Sequence, residues 1–103
     1  MCACKRMSLH NLNAMEALND GRLDEAVAEM NKAIEMAWAR GAAVNEARMR
    51  NNLALVLSAR GDRAGVEGQL RRALDQASGR LGTGNRLCAA IARNLEAVRS
   101  RTV

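Results

Sequence analysis

Moved forward by 40 positions, the first half of the chain lands on the second. Gly21 falls on Gly61, Ala14 on Ala54, Met30 on Leu70, Ala33-Ile34 on Ala73-Leu74 and Ala37 on Ala77. A further partial copy carries Asn52-Leu53 onto Asn94-Leu95 at a step of 42. Self-similarity at such a period is the mark of stacked helical units, because one helix pair alone cannot bury its own apolar face.

The hydrophobic spacing says what each unit contains. Leu23, Ala26, Val27, Met30, Ala33, Ile34 and Ala37 recur at intervals of three and four, which predicts an amphipathic helix over 22–40 that Gly41 stops. Before it, Leu12, Met15 and Leu18 mark a helix over 9–19, ended by the turn signal Asn19-Asp20-Gly21. A third helix is predicted over 43–59. Its run Leu53-Ala54-Leu55-Val56-Leu57 is apolar around most of the girth, so it should be covered on more than one side. Gly61-Asp62 opens a fourth helix with Val66, Leu70, Ala73, Leu74 and Ala77, weakened at its start by Gly65 and Gly68. After a loop over 81–85, Leu87, Ile91, Leu95 and Val98 form a narrow stripe on a fifth helix, the pattern of an element that closes the end of a stack. The absence of proline leaves long helices unbroken. With no Phe or Tyr, and Trp38 the one aromatic, the core falls to Ala, Leu, Val, Met and Ile, which pack helices better than strands.

These residues resemble the tetratricopeptide repeat, in which a large-small pair in the first helix is followed by Ala-x-x-x-large in the second. The first unit reads Asn-Asp-Gly-Arg-Leu-Asp-Glu-Ala, with Ala26 and Met30 in the second helix, then Ala33-Ile34. The second has Leu53-Ala54-x-x-Leu57, then Val66 and Leu70, then Ala73-Leu74. The period exceeds the usual 34 and the closing proline is missing, its place in the first unit taken by Trp38. Both departures resemble the longer repeats of the kinesin light chain type, as do Arg80-Leu81-Gly82 and Asn51-Asn52-Leu53-Ala54. The resemblance spans about residues 8–98. It implies an all-α fold, a right-handed alpha-alpha superhelix of five helices in one domain. Residues 1–7 are then disordered, 8–41 and 43–80 are the two repeats, and 84–101 is the capping helix.

In the resembling family the first helix of each unit lines a concave groove that takes peptides or helices of partner proteins. Carried over, the groove positions are Asn11, Leu12 and Met15, then Arg48, Asn51, Asn52 and Leu55, then Arg93, Asn94 and Arg101. An asparagine amide both donates and accepts, so it suits an extended backbone whatever the side chains. Leu12, Met15 and Leu55 would supply apolar contacts, and Arg48 and Arg93 favour an acidic segment. The same positions also fit solvated amides and plain core. Asn11 and Ala90 stand where the family's carboxylate clamp needs lysines, so the acidic tails of heat-shock chaperones are not the expected ligand. The expectation is a non-catalytic adaptor or small chaperone, with self-association by stacking as a further possibility, since so short an array exposes apolar ends.

Charge supplies the main alternative. Residues 1–52 hold seven basic and seven acidic side chains, and 53–103 hold nine and four, so the formal +5 lies in the second half. Arg60, Arg63, Arg71, Arg72, Arg80 and Arg86 would serve nucleic acid, or form a solvated surface. No aromatics are available there for base stacking. Chemistry finds little footing. Cys2, Cys4 and Cys88 are an odd set without the four ligands of a zinc site, and with His10 the first two would meet a metal only if the chain end folded back. Asp24 and Glu25 are neighbours that point apart on a helix, and Gly79 to Gly84 lacks the Lys and Ser or Thr of a phosphate loop. No apolar run approaches the ~18 residues of a membrane span, and 1–9 lacks the apolar core of a signal peptide. The expectation is a cytoplasmic protein without cofactor or metal.

Overall fold

The structure, a computed structural model, describes residues 2–100. It is all-helical, with α1 over Ala3–Asn19, α2 over Leu23–Ala39, α3 over Ala43–Ala59, α4 over Arg63–Leu81 and α5 over Arg86–Ser100. No strand occurs among the described residues. None of their helices is long and apolar enough to cross a membrane.

One turn is used three times. Gly21, Gly41 and Gly61 have φ of 78°, 66° and 76°. Around each, two backbone bonds close the helix end. Gly21 N–H donates to the Leu18 carbonyl (3.1 Å) and Arg22 N–H to that of Ala17 (2.8 Å). Gly41 and Ala42 bond to Trp38 and Ala37 in the same way, and Gly61 and Asp62 to Ser58 and Leu57. This is the Schellman arrangement, which satisfies the last carbonyls and needs a residue free to take positive φ. Its recurrence every 20 residues reverses the chain at equal intervals. α1 and α3, and likewise α2 and α4, therefore begin 40 residues apart. The connection into α5 is different: Gly82 leaves α4, and the Asn85 side chain caps α5 by accepting from Leu87 N–H at 2.8 Å.

Each helix packs on the next, from α1 to α5, and α1 also approaches α3. Side-chain bonds described below join α1 to α3 and α3 to α5, so the odd-numbered helices share one layer and α2 and α4 the other. The thinnest dimension of 18 Å, against 45 and 33 Å, fits two helix layers. The core runs through the interface between them. Ala14, Ala17, Ala26, Ala33, Ala37, Ala47, Ala73 and Ala77 are fully buried, and these small side chains let the helices approach closely. Met30, Leu70 and Ile91 fill the space the alanines leave, Met30 and Leu70 being repeat equivalents.

Two expectations need correction. α1 begins at Ala3 rather than near residue 9, and the disorder expected over 1–7 is, from Ala3 onward, helix: Met7 is buried in the core one turn before His10, which anchors that end. The weak start of α4 is also compensated. Asp62 accepts from Gly65 N–H at 3.0 Å, and a Cβ on Gly65 would sit 2.4 Å from the same carboxylate, so glycine there accommodates the cap. Gly68 has no such reason, since a Cβ there would meet open space.

Candidate functional site

Helix geometry decides which α3 residues are left uncovered. A buried arc of about half the girth carries Glu46, Ala47, Met49, Arg50, Leu53, Ala54, Val56 and Leu57. Arg48, Asn51, Asn52 and Leu55 lie outside it. Of the five-residue apolar run in α3, only Leu55 stays exposed, at 49%.

The four asparagines expected in the groove bond to one another. Asn52 Nδ2 donates to Asn11 Oδ1 at 2.8 Å, joining α3 to α1, and Asn94 Nδ2 donates to Asn51 Oδ1 at 3.0 Å, joining α5 to α3. The two bonds are equivalent in the repeat. Asn11 and Asn51 are 40 apart, Asn52 and Asn94 are 42 apart, and each time the later unit donates to the earlier. The amides thus hold the units in register. Each bond uses one donor hydrogen and one acceptor, which leaves an amide NH2 on Asn11 and Asn51 and a carbonyl oxygen on Asn52 and Asn94 with capacity for an incoming backbone.

The second junction opens into a cleft of about 160 Å³. Asn51 and Leu55 form its α3 wall, Asn94, Ala97 and Val98 its α5 wall, and Val66 and Leu70 of α4 its floor. A second hollow of about 230 Å³, at the Gly61 turn, adjoins it and shares Ser58, Val66 and Val98. Arg63 donates to the Val98 carbonyl at 2.9 Å, and Arg99 Nε lies 3.3 Å from Glu67 Oε1, so α4 and α5 are clasped beside this cleft.

The remaining expected residues scatter. Met15 is half-buried against the core. Leu12, 64% exposed, lies with Cys4, Lys5, Ser8 and Leu9 around a shallow depression of about 350 Å³ on the outer side of α1, away from the α3–α5 cleft. Arg48 bonds within its own helix, to Asn45 at 3.4 Å, and Arg93 is exposed on α5. Arg101 lies outside the described residues. Of the arginines weighed for nucleic acid, Arg60 pairs with Asp24 at 3.4 Å and Arg71 with Glu67 at 3.7 Å, and Arg63 holds α5, so half of that set is engaged by the chain itself.

A buried polar network escaped the sequence reading. Arg50 Nε and Nη2 reach Glu46 Oε2 at 3.0 and 2.9 Å, and Arg50 Nη1 donates to Gln69 Oε1 of α4 at 2.7 Å. Both charged side chains are nine-tenths or more buried. The available signal was their position, since 46, 50, 53 and 57 continue the stripe of Leu53 and Leu57 at intervals of four, three and four. His10 is likewise part of the fold and not of a loose end. Its Nδ1 lies 2.6 Å from Glu29 Oε2 of α2. Cys2 and Cys4 are exposed, Cys88 is buried, and all three are free thiols. Among the described residues no group of three or more His, Cys, Asp or Glu side chains is placed to hold a metal. The hydrogen bond to Asp20, with Glu25 adding attraction, raises Arg22 above the ordinary arginine value, which leaves its charge unchanged.

No protein-family model matches the chain, and no curated protein sequence or solved structure matches it either.

Proposed function

We propose that the chain is a tetratricopeptide-type adaptor, two helical repeats and a capping helix in a right-handed superhelix, that takes an extended peptide or a helix of a partner protein between α3 and α5. The observation that carries this reading is the cleft where Asn51, Leu55 and Asn94 meet. An exposed leucine beside amides with unspent hydrogen-bonding capacity offers what a peptide needs: a site for one apolar side chain and partners for its backbone. Arg93, exposed one residue before Asn94, favours an acidic residue in the ligand. The role is non-catalytic, the groove supplying recognition alone.

The test uses a peptide library displayed against the purified protein, followed by titration of the selected sequence. Binding to the wild type should be reduced at least about tenfold by Leu55→Ser combined with Asn94→Ala. Both residues are exposed, so circular dichroism should be unchanged. A selected peptide that binds the double variant as well as the wild type removes the cleft from consideration.

A further inference from the structure

The two hairpins differ in burial at one edge of their first helix. Met49 and Val56 of α3 are 7% and 0% exposed, whereas their equivalents in α1, Leu9 and Glu16, are exposed. α3 packs on both α2 and α4, whereas among the described residues no helix covers this edge of α1, so Leu9 and Glu16 stand uncovered where Met49 and Val56 are packed.

Four exposed residues line that edge. Lys5, Leu9, Leu12 and Glu16 recur at intervals of four, three and four, which confines them to an arc of about 60° on the side of α1 opposite the buried Met7 and Ala14. Leu9 is 43% and Leu12 64% exposed, the largest apolar surface on α1. Among the described residues neither Lys5 nor Glu16 makes an ion pair. The order of the stripe is cation, leucine, leucine, anion, and its centre falls midway between Leu9 and Leu12.

Such a stripe is complementary to itself when reversed. We infer that α1 is a homodimer interface in which two copies pack antiparallel about a two-fold axis between Leu9 and Leu12. Leu9 of each copy then meets Leu12 of the other, and Lys5 of each meets Glu16 of the other. A parallel arrangement fails, because it sets Lys5 on Lys5 and Glu16 on Glu16. Head-to-tail stacking through the asparagine junction fails as well. Leu12 stands where α1 would need the donor amide, and Arg93 stands where α5 would need the acceptor. A two-fold contact uses the same patch on both copies and therefore closes at two. The α3–α5 cleft stays free, so the inference does not depend on the adaptor reading.

The patch is small, so the dimer is a weak one, and the experiment is sedimentation equilibrium of the full chain under reducing conditions from about 10 µM to 1 mM. A monomer–dimer equilibrium is expected. Leu12→Glu should weaken it at least about tenfold with the helical signal unchanged. Lys5→Glu and Glu16→Lys should each weaken it, and the two together should restore association to within about threefold of wild type. A monomer throughout the range, open-ended growth beyond two copies, or a charge swap that fails to rescue would each overturn the inference.

Discussion

The hairpins α1–α2 and α3–α4 share a backbone plan and differ in how they treat one polar seam. In the first, His10 on α1 meets Glu29 on α2. In the second, the equivalent positions are Arg50 and Gln69, each 40 residues on, and Glu46 joins them one turn before. The first seam keeps contact with water, its side chains being 26% and 18% exposed. In the second the charged side chains lose it, with Arg50 at 10% and Glu46 at 6%, and Gln69 is half-buried. The difference follows from position in the stack. α3 is covered by α2 as well as α4, so a cation at this site loses its water and needs a carboxylate and an amide around it. α1 is covered on one side only, and a single partner is enough.

That comparison breaks most visibly at Arg50. Arg50→Ala strands Glu46 as a buried charge and should cost about 3–5 kcal/mol in urea unfolding, enough to threaten a domain of this size. Replacing Glu46 by Leu and Arg50 by Met together should recover most of that loss, because an apolar pair of similar volume removes the desolvation cost on both sides. His10→Ala, at the equivalent site, should cost about 0.2–1 kcal/mol, the range for a pair still in contact with solvent. Equal losses at the two sites would refute the claim that burial separates them.

The shared part of the plan can be tested in the same way. Gly21→Ala and Gly61→Ala both force positive φ on a residue with a Cβ, and a Cβ at either site meets open space, so the cost is conformational alone. Each should lose about 1–2 kcal/mol, and the two values should agree within about 0.5 kcal/mol. A smaller effect of opposite sign is expected at Gly68, whose equivalent in α2 is Ala28. Gly68→Ala should raise stability by up to about 1 kcal/mol, or roughly 4–8 °C in melting temperature, bringing the second hairpin closer to the first.

Much of this plan was legible beforehand, because it rests on local signals. The three- and four-residue spacing placed α2, α3 and α4 to within a residue or two, and the glycines at 21, 41 and 61 marked the turns. What escaped depends on relations between helices. The apolar spacing starts α1 at Leu9, because Met7 becomes core only once α2 lies against α1. Glu46 and Arg50, four apart on a helix, look like a solvated pair until α4 brings Gln69 to them. The asparagines stand out in the sequence as a group expected to bind a peptide, and the structure pairs them with one another. Their bonding to one another was hidden because the partners sit 41 and 43 positions apart, a register set by packing and not by the repeat step itself.

The two asparagine junctions supply the smallest and most discriminating measurement. They are chemically identical, but Asn11 and Asn52 are both half-buried, whereas the second bond pairs half-buried Asn51 with exposed Asn94 and lies open to solvent. Removing a partner from a half-buried bond leaves an amide without full access to water, so Asn52→Ala should cost about 1 kcal/mol. Asn94→Ala removes an exposed amide from a bond open to solvent, so water can take its place on Asn51, and its cost should stay within about 0.5 kcal/mol. If the amides at the second junction serve recognition more than register, Asn94→Ala will weaken ligand capture while leaving the unfolding midpoint in place, and Asn52→Ala will do the reverse. A stability loss at Asn94 as large as that at Asn52 would make both junctions structural and move the recognition site to Leu55 and its apolar surroundings alone.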